Sequence, residues 1–288
     1  MDYNSLLKEL SSFKNLKIKI IGRSWDNRNI ISVSTFFYGK PFVLIHGGIH
    51  AREHLTVELC LCLAKKIDEN YSFYEKLENF PNICFIPLVN PDGVDFSIFG
   101  IDCVNSVKYK KLLSKITQGK DYRLFKSNIR GVDINNNFDA KFDSHLGVNF
   151  PSFQGYKGGK PFSEKESQTL RNITLKIKPI FTISYHMKGE EIYYDFYQEP
   201  KQRKRDEQIA KLIARITGYT IKSTEKFSFG GYKDWCISCL KIPSVTIEVG
   251  RDKILHPVPF DEINDIIFKN TGIIDILCDI VNICKEKI

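Results

Sequence analysis

The chain has 288 residues with 42 % hydrophobic and 26 % charged side chains, and 42 basic against 34 acidic groups leave a formal charge of +8. That is the mix of a soluble globular protein long enough to bury one sizeable core, and a single domain over residues 1–288 is the simplest reading. No apolar run approaches the roughly 18–20 residues of a membrane helix, and the N-terminus lacks the basic-then-apolar layout of a secretory signal. The expectation is therefore a cytoplasmic protein starting at Met1, with no membrane partner.

In chain order, "MDYNSLLKELSSFKNLKIKI" reads as an amphipathic helix leading into a strand. Apolar β-rich runs follow at 16–21, 29–37, 41–47, 83–89, 131–137, 180–187, 191–196, 218–223 and 244–250. Helical patterns lie between and after them, at 53–67, 163–177, 205–216 and 260–284. Strands that are apolar throughout and alternate with helices predict an α/β domain, its mostly parallel sheet covered on both faces. There are no repeats and no low-complexity linker. The eight cysteines sit mainly in apolar runs such as "ELCLCLA", as small core residues do. The single "CISC" has no second pair at zinc-knuckle spacing, and a reducing compartment fits. The basic stretch "KQRKRDEQIAKLIARI" reads as the solvated face of a helix. Without a nucleic-acid-binding signature, no nucleic-acid partner is expected. The positive charge suits an anionic ligand.

Ligands of open α/β sheets bind at the carboxyl ends of strands, and every chemically suggestive cluster falls there. "HGGIHARE" follows "PFVLI", "NPDG" follows "ICFIPLV", "HMKGEE" follows "FTISY" and "EVGR" follows "SVTI". Zinc takes nitrogen, sulfur or carboxylate ligands and leaves one position open at a catalytic site. His50 and Glu53 are three apart where a loop turns into a helix, so both can grip one ion; His186, ending its strand, is the third candidate. "HAREH" also reads as an inverted zincin, with His50 and His54 as ligands and Glu53 as base. That pattern needs the pentapeptide inside a helix, whereas "GGIH" places His50 in a loop. Glu248, flanked by Val245, Ile247 and Val249, has apolar surroundings that raise a carboxyl toward the range useful for moving protons.

Together, His50-x-x-Glu53 in "GIHARE", "NPDG" (90–93), "GVDINNNFD" (131–139), "SYH" (184–186) and "TIEVG" (246–250) resemble the zinc carboxypeptidase family, in that family's order. The match runs from about "IGRSWDNRNI" to "HPVPF". The resemblance implies one Zn2+ per chain held by His50, Glu53 and His186, on a mixed sheet of about eight strands flanked by helices. It also implies that Glu248 is the general base. A cation beside the developing oxyanion is needed as well; aligning "YRLFKSNIRGVD" with the family makes it Lys126, with Arg123 as the fallback.

Two departures stand out. The family's Asn-Arg carboxylate clamp falls on Asn135 and Asn136, so an amide replaces the charged bidentate grip. Its capping tyrosine falls on Lys226. "FKSNIRGVDINNNFDA", "YHMKGEEIYY" and "GGYKDWCISCLKIPSVTIEVG" look like the bacterial branch that cleaves γ-D-glutamyl-diamino acid bonds in peptidoglycan peptides. That likeness implies a muropeptide substrate, with Arg52, Lys233 and Arg130 as candidate partners of its carboxylates and Asn135 and Asn136 as further substrate-binding residues. Glu190 or Glu191 would meet its amine. The alternatives are a metallocarboxypeptidase acting on ordinary C-terminal residues, or a non-catalytic peptide-binding protein on the same fold.

Overall fold

The computed structural model describes residues 1–223 and 229–286. Its strands are β1 (Lys17–Arg23), β2 (Asn29–Ser34), β3 (Phe42–His46), β4 (Asn82–Ile86), β5 (Phe181–Met187), β6 (Glu191–Tyr193), β7 (Thr220–Lys222) and β8 (Ser244–Val249). They form one mixed eight-stranded sheet in the order β1-β2-β4-β3-β5-β8-β6-β7. The central strands β4, β3, β5 and β8 are parallel, and antiparallel pairings bring in β2 on one side and β6 on the other.

Helices 3–10, 55–69, 71–76, 200–217, 263–270 and 277–285 cover one face, over a core that includes Val43, Ile45, Phe85, Ile183, Tyr185 and Ile247. Helices 165–177 and 232–238 cover the other, around Leu44, Ile86, Phe138, Tyr232 and Trp235. Both faces are thus buried, as expected for a parallel sheet.

The central strands are not apolar throughout. Side chains alternate across a pleat, so in β5 Phe181, Ile183, Tyr185 and Met187 enter the first core while Thr182, Ser184 and His186 point to the opposite face. In β8, Val245, Ile247 and Val249 take the first face and Ser244, Thr246 and Glu248 the second. Register aligns Thr182 with Ser244, Ser184 with Thr246 and His186 with Glu248. Buried polar groups need partners. Thr182 Oγ1 and Ser244 Oγ are 2.6 Å apart, and Ser184 Oγ lies 2.8 Å from His46 Nε2. A polar stripe therefore runs under one face of the sheet and ends at the rim as His186 and Glu248.

Two expectations about elements fail. Residues 131–137 form no strand: Asn128 Oδ1 accepts from Arg130 N and Val132 N, and residues 134–136 make a 3-10 turn. Those hydrogen bonds replace any ladder. The helical pattern at 260–284 is also interrupted, since helix 263–270 passes through a turn at Thr271–Ile273 before helix 277–285. Gly272 packs against Ile216 there, where a Cβ would lie 2.6 Å from the Ile216 side chain. The eight cysteines are all free thiols, as the apolar setting of most of them implied. No helix among the described residues is long and apolar enough to cross a membrane.

Removing one hydroxyl of the Thr182–Ser244 pair leaves its partner less well satisfied. Thr182→Val should cost about 1–3 kcal/mol in urea unfolding. Adding Ser244→Ala should cost less than the sum of the single changes.

Candidate metal centre and active-site cavity

The loop after β3 begins with two glycines for steric reasons. A Cβ on Gly47 would lie 2.6 Å from the Thr56 carbonyl oxygen, and Gly48 adopts φ +58 against Leu88 and Val57. This tight passage seats the loop against the start of helix 55–69. Gly48 N donates to Thr56 Oγ1, Thr56 Oγ1 donates to the Glu53 carbonyl, and Ala51 N donates to the Lys126 carbonyl. Asn90 Nδ2 ties Ile49 to Ser127 by donating to both carbonyls, and Asn90 Oδ1 caps the next helix at Gly93 N.

His50 and Glu53 lie in a turn ahead of the helix, which starts at Leu55. His54 is the capping residue of that helix and stands apart from the group formed by His50, Glu53 and His186. The inverted zincin is therefore not the arrangement built. His50 Nδ1 is 2.8 Å from Glu53 Oε1, His186 Nδ1 is 3.2 Å from Glu53 Oε2, and the two Nδ1 atoms are 3.1 Å apart. All three side chains are buried. Burial alone would raise the Glu53 carboxyl, but His50 and His186 hold it well below the usual carboxylate range. Two imidazole nitrogens and a carboxylate crowding one point present lone pairs to one another, and a cation satisfies all of them. The donor set suits zinc.

On the far side of His50, Nε2 lies 3.2 Å from Asp133 Oδ1, and Lys126 Nζ lies 3.3 Å from Asp133 Oδ2. Burial pushes Asp133 up, but Lys126 first and His50 next hold it below the carboxylate range. The sequence alone does not single out Asp133, although it stands in the "GVD" motif. The usable signal is general: a ligating histidine needs a carboxylate or carbonyl on its other nitrogen to fix ring and tautomer.

Next to the triad opens a cavity of about 390 Å³, walled by Arg52, Asn135, Lys188, Glu191, Tyr193, Lys233, Asp234, Thr246, Glu248 and His256 among others. Burial pushes the Glu248 carboxyl up to about 7 against the opposing pull of His186. Its Oε2 has no hydrogen-bond partner among the described residues. Such a group can take up and release a proton near neutrality. Arg52 Nη1 is held by the Leu124 carbonyl and Gln154 Oε1, while Arg52 Nε is buried without a hydrogen-bond partner among the described residues. Lys233 Nζ donates to Asp234 Oδ1 at 2.6 Å and to the Asp195 carbonyl at 2.8 Å. Asn135 lines the wall while its Oδ1 accepts from Tyr232 N.

Other expected residues lie elsewhere. Glu190 sits in the left-handed region at φ 54 and pairs with Lys269 at 2.6 Å, so its neighbour Glu191 is the carboxylate in the wall. The strand pleat explains the choice, because Glu191 pairs in register with Glu248. Asn136 is absent from the wall among the described residues, and its carbonyl packs against Gly230. Arg123 is exposed and clamped on Asp121, which removes it as an alternative to Lys126. Arg130 lies over the Trp25 ring at 4.3 Å, away from the cavity. Lys226 lies outside the described residues.

Asp133→Asn, which keeps the shape but removes the charge shared by His50 and Lys126, should weaken zinc retention about 10–100-fold. Chelator competition followed by metal analysis measures this.

The family model described as zinc carboxypeptidase matches residues 3–270. Gamma-D-glutamyl-L-diamino acid endopeptidase 1 of Lysinibacillus sphaericus is 30 % identical over 286 residues, covering 94 % of this chain and 70 % of that protein. Carboxypeptidase A2 of Rattus norvegicus is 34 % identical over 155 residues, 52 % of this chain and 34 % of that protein. Among solved structures, thrombin activatable fibrinolysis inhibitor superposes with a TM-score of 0.79 at 18 % identity, over 97 % of this chain and 73 % of that one, a likeness of fold. Matched over nearly its whole length and carrying a buried His-Glu-His group, the chain belongs to the zinc carboxypeptidase family and is a zinc metallopeptidase.

Proposed function

We propose that this peptidase hydrolyses the γ-D-glutamyl-diaminopimelate amide of peptidoglycan stem peptides. One observation carries the reading: the cavity beside the triad mixes cationic Arg52, Lys188 and Lys233 with anionic Glu191 and Asp234 in a wall that also holds Glu248. A stem peptide brings the α-carboxylate of its γ-linked glutamate together with the carboxylates and amine of diaminopimelate, so both signs find partners. The 30 % identity to the Lysinibacillus enzyme, whose name states that bond type, supports the same choice.

His50, Glu53 and His186 are the residues that would hold zinc, which when bound supplies a Lewis acid that polarises the scissile carbonyl and acidifies water. Glu248 takes the proton from the attacking water and passes it to the leaving nitrogen. Lys126 supplies positive charge for the developing oxyanion, and Asp133 holds both that lysine and the His50 ring. A lysine gives charge without the planar fork of arginine, so it stabilises a single oxygen rather than gripping a carboxylate. Arg52 is the substrate-carboxylate clamp, braced by Leu124 and Gln154 and with Nε still unpaired among the described residues. Asn135 and Lys233 complete that side of the wall, and Glu191 receives the substrate amine.

A second reading is supported by the carboxypeptidase A2 match: release of C-terminal residues from ordinary peptides. Incubation with a synthetic γ-D-glutamyl-diaminopimelate peptide and with a plain L-peptide, analysed by mass spectrometry, separates the two. Cleavage of the first alone is expected; turnover confined to the second would sink the muropeptide assignment.

Glu248→Gln should lower kcat by about 10²–10⁴-fold while zinc content stays at one per chain. In the wild type, kcat/KM should rise with pH as Glu248 loses its proton. The midpoint should lie at or below the value of about 7 that burial sets, because a bound dication favours the ionised carboxylate. Loss of that rising limb in Glu248→Gln identifies the group.

A further inference from the structure

Outside the cavity, the structure buries a second pair of carboxyl groups. Glu164 and Glu166, at the start of helix 165–177, are 1 % and 0 % exposed. Both meet the same amide: Asn128 Nδ2 donates to Glu164 Oε2 at 2.9 Å and to Glu166 Oε2 at 3.2 Å. Glu164 is well served, with Trp25 Nε1 at 2.9 Å from its Oε2 and Ser163 Oγ at 2.9 Å from its Oε1. Glu166 is not. Its Oε1 is buried and has no hydrogen-bond partner among the described residues, a poor place for a second negative charge.

Asn128 is fully buried and spends its whole hydrogen-bonding capacity in this corner. Its Oδ1 accepts from Arg130 N at 3.0 Å and Val132 N at 3.1 Å, and its backbone N donates to the Val132 carbonyl at 2.8 Å. These bonds shape the loop that carries Lys126 two residues before Asn128 and Asp133 five residues after it.

We infer that Glu164 and Glu166 are positioning residues: with Glu166 neutral, both accept from the Asn128 amide and hold it, and through it the loop that aims Lys126 and Asp133 at the reaction site. This rests on the assignment of Lys126 to the oxyanion. The groups around the pair agree with a held proton. Burial first, then Glu164, then Asp92 raise the Glu166 carboxyl to about 8. Arg28 is already spent on Asp92, Asp95 and Asp26, with its Nη1 2.9 Å from Asp92 Oδ1. Arg130 stands 3.7 Å from Glu164 Oε1, and Lys165 lies over the Trp25 ring. Tyr109, itself raised by burial, remains neutral through the same range.

The direction of the pH effect follows. Unfolded, Glu166 ionises above about 4.5; folded, it keeps its proton to about 8. The native state therefore binds the extra proton between those values, and stability falls as pH rises across that window. Above it, two anions share one amide and the loop loosens.

The test uses the zinc-loaded full chain and the isostere Glu166→Gln, which imitates the protonated acid. The wild type should lose kcat above about pH 8 with KM little changed, and its Tm should decline from about pH 5 to 8. Both slopes should flatten in Glu166→Gln, with wild-type kcat near pH 7. If either slope persists unchanged in the variant, the proton on Glu166 is not the device and the proposal fails. Lys126→Met addresses the underlying assignment separately. Wild-type kcat in that variant would remove Lys126 from the chemistry, while the Tm slope of Glu166→Gln would still report on the carboxyl pair.

Discussion

Burying a carboxylate in a protein interior is unfavourable unless positive charge or a proton comes with it. The functional rim of this chain depends on four solutions to that constraint. Glu53 lies between two imidazoles, which hold it ionised and ready for a cation. Asp133 is held ionised by Lys126 and His50. Glu248 makes no ion pair among the described residues, and burial leaves its carboxyl at about 7, near neutrality. Glu166 keeps its proton beside Glu164. The same residue class is thus offered for four different proposed roles, metal ligand, ring-orienting group, base and strut, and the surroundings alone distinguish them.

These groups are brought together by a pleated sheet and a few tight turns. The period of two sends Thr182, Ser184 and His186 to one side of β5, and parallel register sets Ser244, Thr246 and Glu248 beside them. Loop chemistry adds the rest. Glycines at 47 and 48 let the His50 turn pack on helix 55–69, and Asn90 and Asn128 lock the neighbouring loops through backbone hydrogen bonds. Because His50 follows β3 and His186 ends β5, a metal held by both would couple elements separated by 136 positions in the chain.

The site's polarity suits the proposed substrate. The wall holds little apolar surface for a bulky side chain and instead sets opposite charges within one cavity. A wall of this kind rewards a ligand carrying carboxylates and an amine at fixed separation, and penalises one that leaves buried charges unpaired.

Much of this was legible in the chain itself. Alternating strands and helices fixed the α/β class, and four polar clusters directly after apolar runs marked one rim, including His50, Glu53, His186 and Glu248. Local pattern suffices there because hydrophobic period and strand-end position are local properties. Other features were not legible. Polar residues at alternate positions of β5 and β8 were read as part of apolar runs, since only cross-strand register shows that they satisfy one another. "GVDINNN" has β-rich composition, yet backbone N–H groups that donate to the Asn128 side chain help to hold its start in a loop. Glu190 and Glu191 are chemically identical neighbours, and the pleat of β6 with the pull of Lys269 decides which one enters the cavity. Sequence by itself determined which chemistries were present; the tertiary structure decided which atoms face one another, because charge pairing and desolvation depend on distances that neighbours along the chain do not set.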